Sequence, residues 1–223
     1  NKKNYDLKQL KKSFENSLKL LKRDSINTLF LHNPRMEITD YTDVLNFMHE
    51  LKDNGKISQI GLSMARNFSY EKFVDLEEFD VLQDDINLLS LQALQKPKPK
   101  GVVLMARSPL ANGLLSGRIT EKTIFSNDDH RSKWLHGKRL ESLVHRINEI
   151  KKCSDLKLSE LAIRFLNDQS LIDKIIFGVK RKEHVKDILE QIDKNPLKPT
   201  ISKKLFKLFE TDFGLKDEIQ FSY

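Results

Sequence analysis

Two kinds of hydrophobic spacing take turns along this chain, and that alternation limits what it can fold into more than any other feature of its 223 residues. In LKQLKKSFENSLKLLKR (7–23), Leu7, Leu10, Phe14, Leu18 and Leu21 recur at steps of three and four, the spacing of a single helix face. INTLFLH (26–32) is instead a short apolar run of strand formers that ends on His32, and Asn33-Pro34 follows as a loop signal. YTDVLNFMHELKDNGK (41–56) returns to helical spacing through Val44, Leu45, Met48 and Leu51, with Asn54-Gly55 as its stop. The same reading predicts strands at 56–63, 79–83, 101–106 and 173–179. It predicts helices at 69–76, 139–152, 158–168, 182–192 and 202–213, with Ser159 and Glu160 opening the one at 158–168.

Strands separated by helices run parallel, because each crossover helix returns the chain to the same edge of the sheet. An open doubly wound sheet and a closed barrel both satisfy that rule. The eight glycines are scattered and form neither G-x-G-x-x-G nor G-x-x-x-x-G-K-[ST], so the nucleotide-binding open sheets lose their usual signature. Polar residues stand at the predicted strand ends: His32, Ser63, Gln83, Ser108 and the corner Gly178-Val179-Lys180-Arg181. In a barrel these ends converge on one mouth, the face where barrel active sites lie.

Composition narrows the class. The length suits one sizeable core, and without a Gly/Ser-rich or long Pro-rich break the expectation is a single domain over 1–223. There is no run of eighteen apolar residues, and NKKNYDLKQLKK has no apolar stretch resembling a secretory signal, so a soluble cytoplasmic protein with no membrane partner is expected. Cys153 is the one cysteine, which excludes an internal disulfide and a multi-thiolate metal site. His130, His136 and His145 have no metal-ligand spacing and are expected at the surface, with no metal. The net charge of +7 raises the question of a polyanion partner. Charges of both signs alternate on the helix faces and no aromatic residues interleave with arginine, so nucleic acid is not expected. QKPKPKG (95–101) reads as a loop extended by its prolines.

Five blocks, in order, resemble the aldo-keto reductases. ENSLKLLKRDSINTLFLHNP (15–34) is similar to the family's helix and fourth barrel strand ending in the catalytic histidine. LKDNGKISQIGLS (51–63) resembles its fifth-strand segment and FDVLQDDINLL (79–89) its sixth. ARSPLANGLLSGR (106–118) resembles the loop covering the pyrophosphate, and IIFGVKRKEHVKDIL (175–189) the last strand and the helix gripping the adenosine phosphate. The resemblance implies a parallel (β/α)8 TIM-type barrel represented by about its last five β/α units. It implies reduction of an aldehyde or ketone by hydride transfer from NADP(H). His32 would orient the substrate carbonyl, while Ser63 and Gln83 would hold the nicotinamide carboxamide. Ser108, Leu110, Gly113 and Arg118 would wrap the pyrophosphate. Gly178, Lys180 and His184 would meet the 2′-phosphate and adenine, with Lys180 and Arg181 favouring NADP over NAD. NDDHRSKW (127–134) resembles a subset of the family in which an arginine approaches the cofactor, here Arg131.

Departures accompany the likeness. Met64 stands where the family usually has an asparagine that binds the carboxamide, and Ile188 replaces an adenine-contacting asparagine. The segment between Asn87 and Gly101 is shorter than the family's helix there. The family's first three strands, with their Asp, proton-donating Tyr and Lys, have no counterpart, so the expectation is a fragment of a longer chain. A catalytically silent NADP-binding regulatory or structural subunit of the same fold is the alternative reading. The substrate pocket is expected from loops 33–40, 64–69 and 118–137, whose polar content suits sugars or other small polar carbonyls.

Overall fold

The computed structural model describes residues 6–34, 41–64, 78–95 and 97–215. The helix predicted at 69–76 and much of loops 33–40 and 64–69 lie outside the described residues. Five strands form one sheet in sequence order: β1 Ile26–His32, β2 Ile57–Ser63, β3 Val81–Asp85, β4 Val103–Arg107 and β5 Lys174–Ile175. β1 with β2, β2 with β3, and β4 with β5 are all parallel. The helices are α1 Leu7–Leu21, α2 Thr42–Asp53, α3 Gly137–Lys151, α4 Leu158–Asn167, α5 Lys182–Ile192 and α6 Pro199–Glu210. The chain divides into two compact units, residues 1–84 with 98–104 and residues 85–97 with 105–223.

In the first unit, α1 opens with the Asp6 carboxylate accepting from Gln9 N–H. The predicted apolar face of α1 is only partly used. Phe14 is buried edge-on against Phe47, their centroids 6.4 Å apart, whereas Leu21 in the last turn is 58% exposed. β2 is the best covered strand, with Ile57, Ile60 and Leu62 buried, as a parallel strand packed on both faces requires. Gly61 pairs with Phe30, and a Cβ on it would come within 2.5 Å of the Phe30 ring, so glycine is what allows that ring to cross β2. At the end of α2, Asn54 caps the helix and Gly55 turns the chain at φ +65°, as predicted.

In the second unit the core gathers Leu114, Leu115, Leu143, Ile147, Leu161, Phe165 and Leu166. α4 begins at Leu158 with Lys157 at its N-cap and no side-chain cap bond, so Ser159 lies inside the first turn and does not open the helix. α6 begins three residues earlier than predicted because Pro199, whose fixed φ suits a first turn, starts it. The strand predicted at 173–179 shrinks to Lys174–Ile175. It is an edge strand, and its apolar continuation leaves Ile176 and Val179 partly exposed.

Candidate functional site

Parallel register creates the first cluster. His32 pairs with Ser63 across β1 and β2, and Ser63 pairs with Gln83 across β2 and β3, so three side chains from distant segments stand in one row. Their polar atoms are joined: His32 Nδ1 lies 3.0 Å from Ser63 Oγ, which donates to Gln83 Oε1 at 3.0 Å. Ser63 is fully buried, Gln83 half-buried and His32 exposed. Gln83 was expected as the last residue of its strand. β3 runs on to Asp85, so Gln83 sits at its third position and is placed by register rather than by strand termination. Met64 is buried, and its backbone N–H donates to Gln83 O at 2.9 Å, so the position that usually carries an amide side chain contributes main chain to the same row.

The second cluster belongs to the second unit and follows β4. Ser108 takes φ +54°, and the next turn, Ala111–Ser116, contains Asn112 and Gly113 at φ +56° and +89°. Left-handed backbone at non-glycine residues costs energy and needs support. Asn87, fully buried, supplies it by donating from Nδ2 to Ser108 O at 3.1 Å while its Oδ1 accepts from Leu89 N–H. Leu110 O accepts from Gly113 and Leu115 N–H, which closes the turn. Arg131 holds its far side: Nη1 donates to Asn112 O at 3.2 Å, and Nε and Nη2 donate to the Asp129 carboxylate, the shortest contact being 2.6 Å. The guanidinium also lies 4.6 Å from the Phe125 ring centroid. Hydrogen bonds from the Arg131 side chain and backbone hold the Asp129 carboxyl far below the usual carboxylate range, and the Asp129 carboxylate in turn raises the guanidinium. A Cβ on Gly113 would meet Arg131 Nη1 at 3.0 Å.

Of the remaining predicted residues, Arg118 is exposed, with its backbone N–H on Ser116 Oγ. Gly178 and Lys180 are exposed on the segment entering α5, and half-buried His184 lies in the first turn of that helix, its N–H on Arg181 O. The structure therefore joins His32, Ser63 and Gln83 to one another and Leu110 to Gly113 through Leu110 O and the Gly113 N–H, and it places the Arg131 guanidinium beside Gly113 through its bond to Asn112 O.

Sequence reasoning gave no role to four residues that shape this neighbourhood. Asn87 and Asp129 are described above. The others are Asp85, 4% exposed, and Arg107, which pair through Nε–Oδ1 at 3.1 Å and Nη2–Oδ2 at 3.2 Å beside the β4 exit. A polar residue inside an apolar run, as Asn87 is in INLL, was the available signal. Among the described residues no three His, Cys, Asp or Glu side chains gather as a metal site, and no helix is long and apolar enough to cross a membrane.

The model of the Aldo/keto reductase family matches residues 1–206. The chain belongs to the aldo/keto reductase family. It is 28% identical over 191 residues to aldo-keto reductase YhdN of Bacillus subtilis (strain 168), which covers 79% of this chain and 56% of that one. To the NADH-specific methylglyoxal reductase of Escherichia coli (strain K12) it is 22% identical over 202 residues, 86% of this chain and 62% of the relative. This aldo/keto reductase chain thus spans little more than half the length of the curated relatives it matches. Among solved structures, the glycerol dehydrogenase AKR11B4 from Gluconobacter oxydans superposes with a TM-score of 0.75 at 21% identity, over 96% of this chain and 67% of that one. The holo form of aldo-keto reductase AKR11C1 from Bacillus halodurans gives 0.67 at 19%, over 89% and 64%. The fold is the α/β barrel type of the aldo/keto reductases, represented here by five parallel-sheet strands.

Proposed function

We propose that this chain is part of an NADP(H)-dependent oxidoreductase that reduces an aldehyde or ketone of small polar type. The observation that carries the reading is the row His32–Ser63–Gln83, in which an exposed imidazole is tethered to a buried hydroxyl and an amide. Ser63 and Gln83 each offer both a donor and an acceptor, the pattern that complements a primary carboxamide such as that of nicotinamide. In the second unit, Asn112 Nδ2 is buried with no hydrogen-bond partner among the described residues, a donor suited to a phosphate oxygen. Lys180, Arg181 and Lys182 at the start of α5 place cationic groups at a helix N-terminus, which suits a further phosphate.

When bound, a nicotinamide cofactor supplies the hydride. In this reading His32 donates a hydrogen bond to the carbonyl oxygen and orients it, while Ser63 and Gln83 fix which ring face is presented. Ser108, Leu110, Gly113 and Arg118 surround the pyrophosphate. Arg131 supports that loop through Asn112, and Gly178, Lys180 and His184 serve the adenosine end. The protein's contribution is mainly orientation, worth on the order of a hundredfold in rate for a misplacement of about 1 Å.

The NADH specificity in the name of the Escherichia coli relative makes the cofactor choice the point to test. Fluorescence titration of the protein with NADPH and with NADH is expected to show tighter NADPH binding, with the preference lost in Lys180→Ala. Equal binding of both by the wild type removes the phosphate role of Lys180, and binding of neither removes the reading.

A further inference from the structure

Backbone strain returns in the second unit at the C-terminal turn Asp212–Gly214, where Asp212 and Phe213 take φ +48° and +54°. A left-handed phenylalanine is an outlier that persists only where its surroundings hold it. Phe213 is buried, edge-on to Phe209 of α6 with ring centroids 6.4 Å apart, and one turn of α3 closes over it. Arg146 donates from Nη2 to Asp212 Oδ1 at 2.8 Å and from Nη1 to Ser142 Oγ, and its guanidinium lies 6.0 Å from the Phe213 ring centroid. His145 Nε2 stands 3.2 Å from Phe213 O. The Arg146 side chain is 5% exposed and the Asp212 side chain 43%, so a buried cation holds a surface turn. Arginine is rarely buried this deeply, which marks the position of the turn as something the fold maintains.

α3 packs against a second strained turn, Ala111–Ser116, in which Ala111, Asn112 and Gly113 are left-handed. Leu114 and Leu115 of that turn and Leu143 and Ile147 of α3 are fully buried in the core of the same unit. Leu143 and Ile147 follow directly on Ser142 and Arg146, so one stretch of α3 serves both turns. A helix moves as a rigid element, and a packed core takes discrete arrangements instead of deforming continuously. A ligand that fixes the first turn therefore fixes the helix that holds the second.

We propose that Asp212–Gly214 is a latch on α3 coupled to the loop Ala111–Ser116: a dinucleotide held by the loop tightens the latch, and opening the latch loosens the loop. The two effects are equal in size, because coupling between two sites is reciprocal. The choice of a dinucleotide as ligand rests on the function proposed above, whereas the coupling is a property of α3. Arg146 and His145 are positioning residues in this device and act on the loop only through their helix.

Amide hydrogen exchange followed by NMR reads both turns. Gly214 N–H donates to Thr211 O and Leu215 N–H to Asp212 O, so their exchange reports the latch, while Gly113 and Leu115 N–H, both on Leu110 O, report the loop. Saturating NADPH is expected to slow exchange at Gly214 and Leu215 by about fivefold or more, the lower end of ordinary coupling between sites. Arg146→Met and His145→Ala are expected to speed exchange at all four amides, to leave those of α5 unchanged and to weaken NADPH binding. His145 is exposed, so His145→Ala alone gives the answer should Arg146→Met fail to fold. The proposal is overturned if Gly214 and Leu215 keep the wild-type rate in every folded variant, or if they quicken while Gly113, Leu115 or NADPH affinity does not change. A rise shared by the α5 amides is global loosening and overturns it too, as does bound NADPH that leaves Gly214 and Leu215 unchanged. If nicotinamide fluorescence shows no NADPH binding to the wild type, the proposed function fails. The latch is then decided without ligand: loop amides that quicken together with the turn amides uphold it, and any other pattern overturns it.

Discussion

The row of strand residues and the loop after β4 are assembled by different means. His32, Ser63 and Gln83 are neighbours because parallel register makes them so, and the backbone ladder that aligns them also satisfies its own hydrogen bonds. The loop has no such ladder. Its left-handed residues Ser108, Asn112 and Gly113 are held by side chains from elsewhere in the second unit, through Asn87 on Ser108 O and Arg131 on Asn112 O, with the Asp85–Arg107 pair at the strand that feeds it. Register tolerates the loss of a polar side chain, whereas a loop held by polar contacts does not. Substitutions that remove charge should therefore act on the second unit, and substitutions that add volume on the first.

The largest effect is expected from Asp85→Ala. It leaves the Arg107 guanidinium, 15% exposed, beside the vacated carboxylate position, and breaking one side of a buried pair costs about 3–5 kcal/mol. Urea denaturation followed by circular dichroism should show a large fall in midpoint. A midpoint within experimental error of wild type would mean that the loop's approach does not depend on this pair. The distinction between register and polar support would then fail at its strongest point.

How far each region could be read from sequence follows from the same distinction. INTLFLH and KISQIGLS announced two seven-residue strands ending on His32 and Ser63, and parallel pairing then left little freedom in how those ends meet. Gln83 was picked out as a polar strand end and given its role by resemblance, but its position inside β3 was not foreseen, because FDVLQDD carries no apolar period that marks where the strand stops. The loop was legible only as a motif. Arg107 finds Asp85 twenty-two residues back and Arg131 finds Asn112 nineteen back, and no periodicity encodes such pairs. The Leu21 end of α1 and the short β5 failed for a further reason: spacing tells which residues can share a face, not whether anything covers that face.

Gly61→Ala tests the first unit. The added methyl would overlap the Phe30 ring, whose nearest atom lies 2.5 Å from the new Cβ, so the ring or β2 must move. Overpacking of this kind costs about 1–3 kcal/mol. Ser63 lies two residues farther along β2, so the same displacement should disturb its link to His32. The expected outcome is a moderate fall in midpoint together with altered His32 ring signals. A stability loss with unchanged His32 signals would show that the row does not inherit its geometry from strand packing.

The smallest effect is expected at Asp129, and it has a pH signature. Hydrogen bonds from Arg131 depress its folded-state pKa far below the ordinary value of about 3.9. A carboxyl depressed on folding contributes stability that is complete above its unfolded pKa and is lost as pH falls toward the folded value. Asp129→Asn removes that contribution. Because the pair is partly exposed, the difference near neutrality should be about 1 kcal/mol, and it should shrink as pH drops through the acid range until the two proteins converge. Denaturation midpoints of both proteins measured from neutral to acid pH give the comparison. A gap that stays constant with pH would mean that Asp129 supports the loop as a hydrogen-bonding group whose charge is incidental, and the electrostatic account of how Arg131 is held would have to be abandoned.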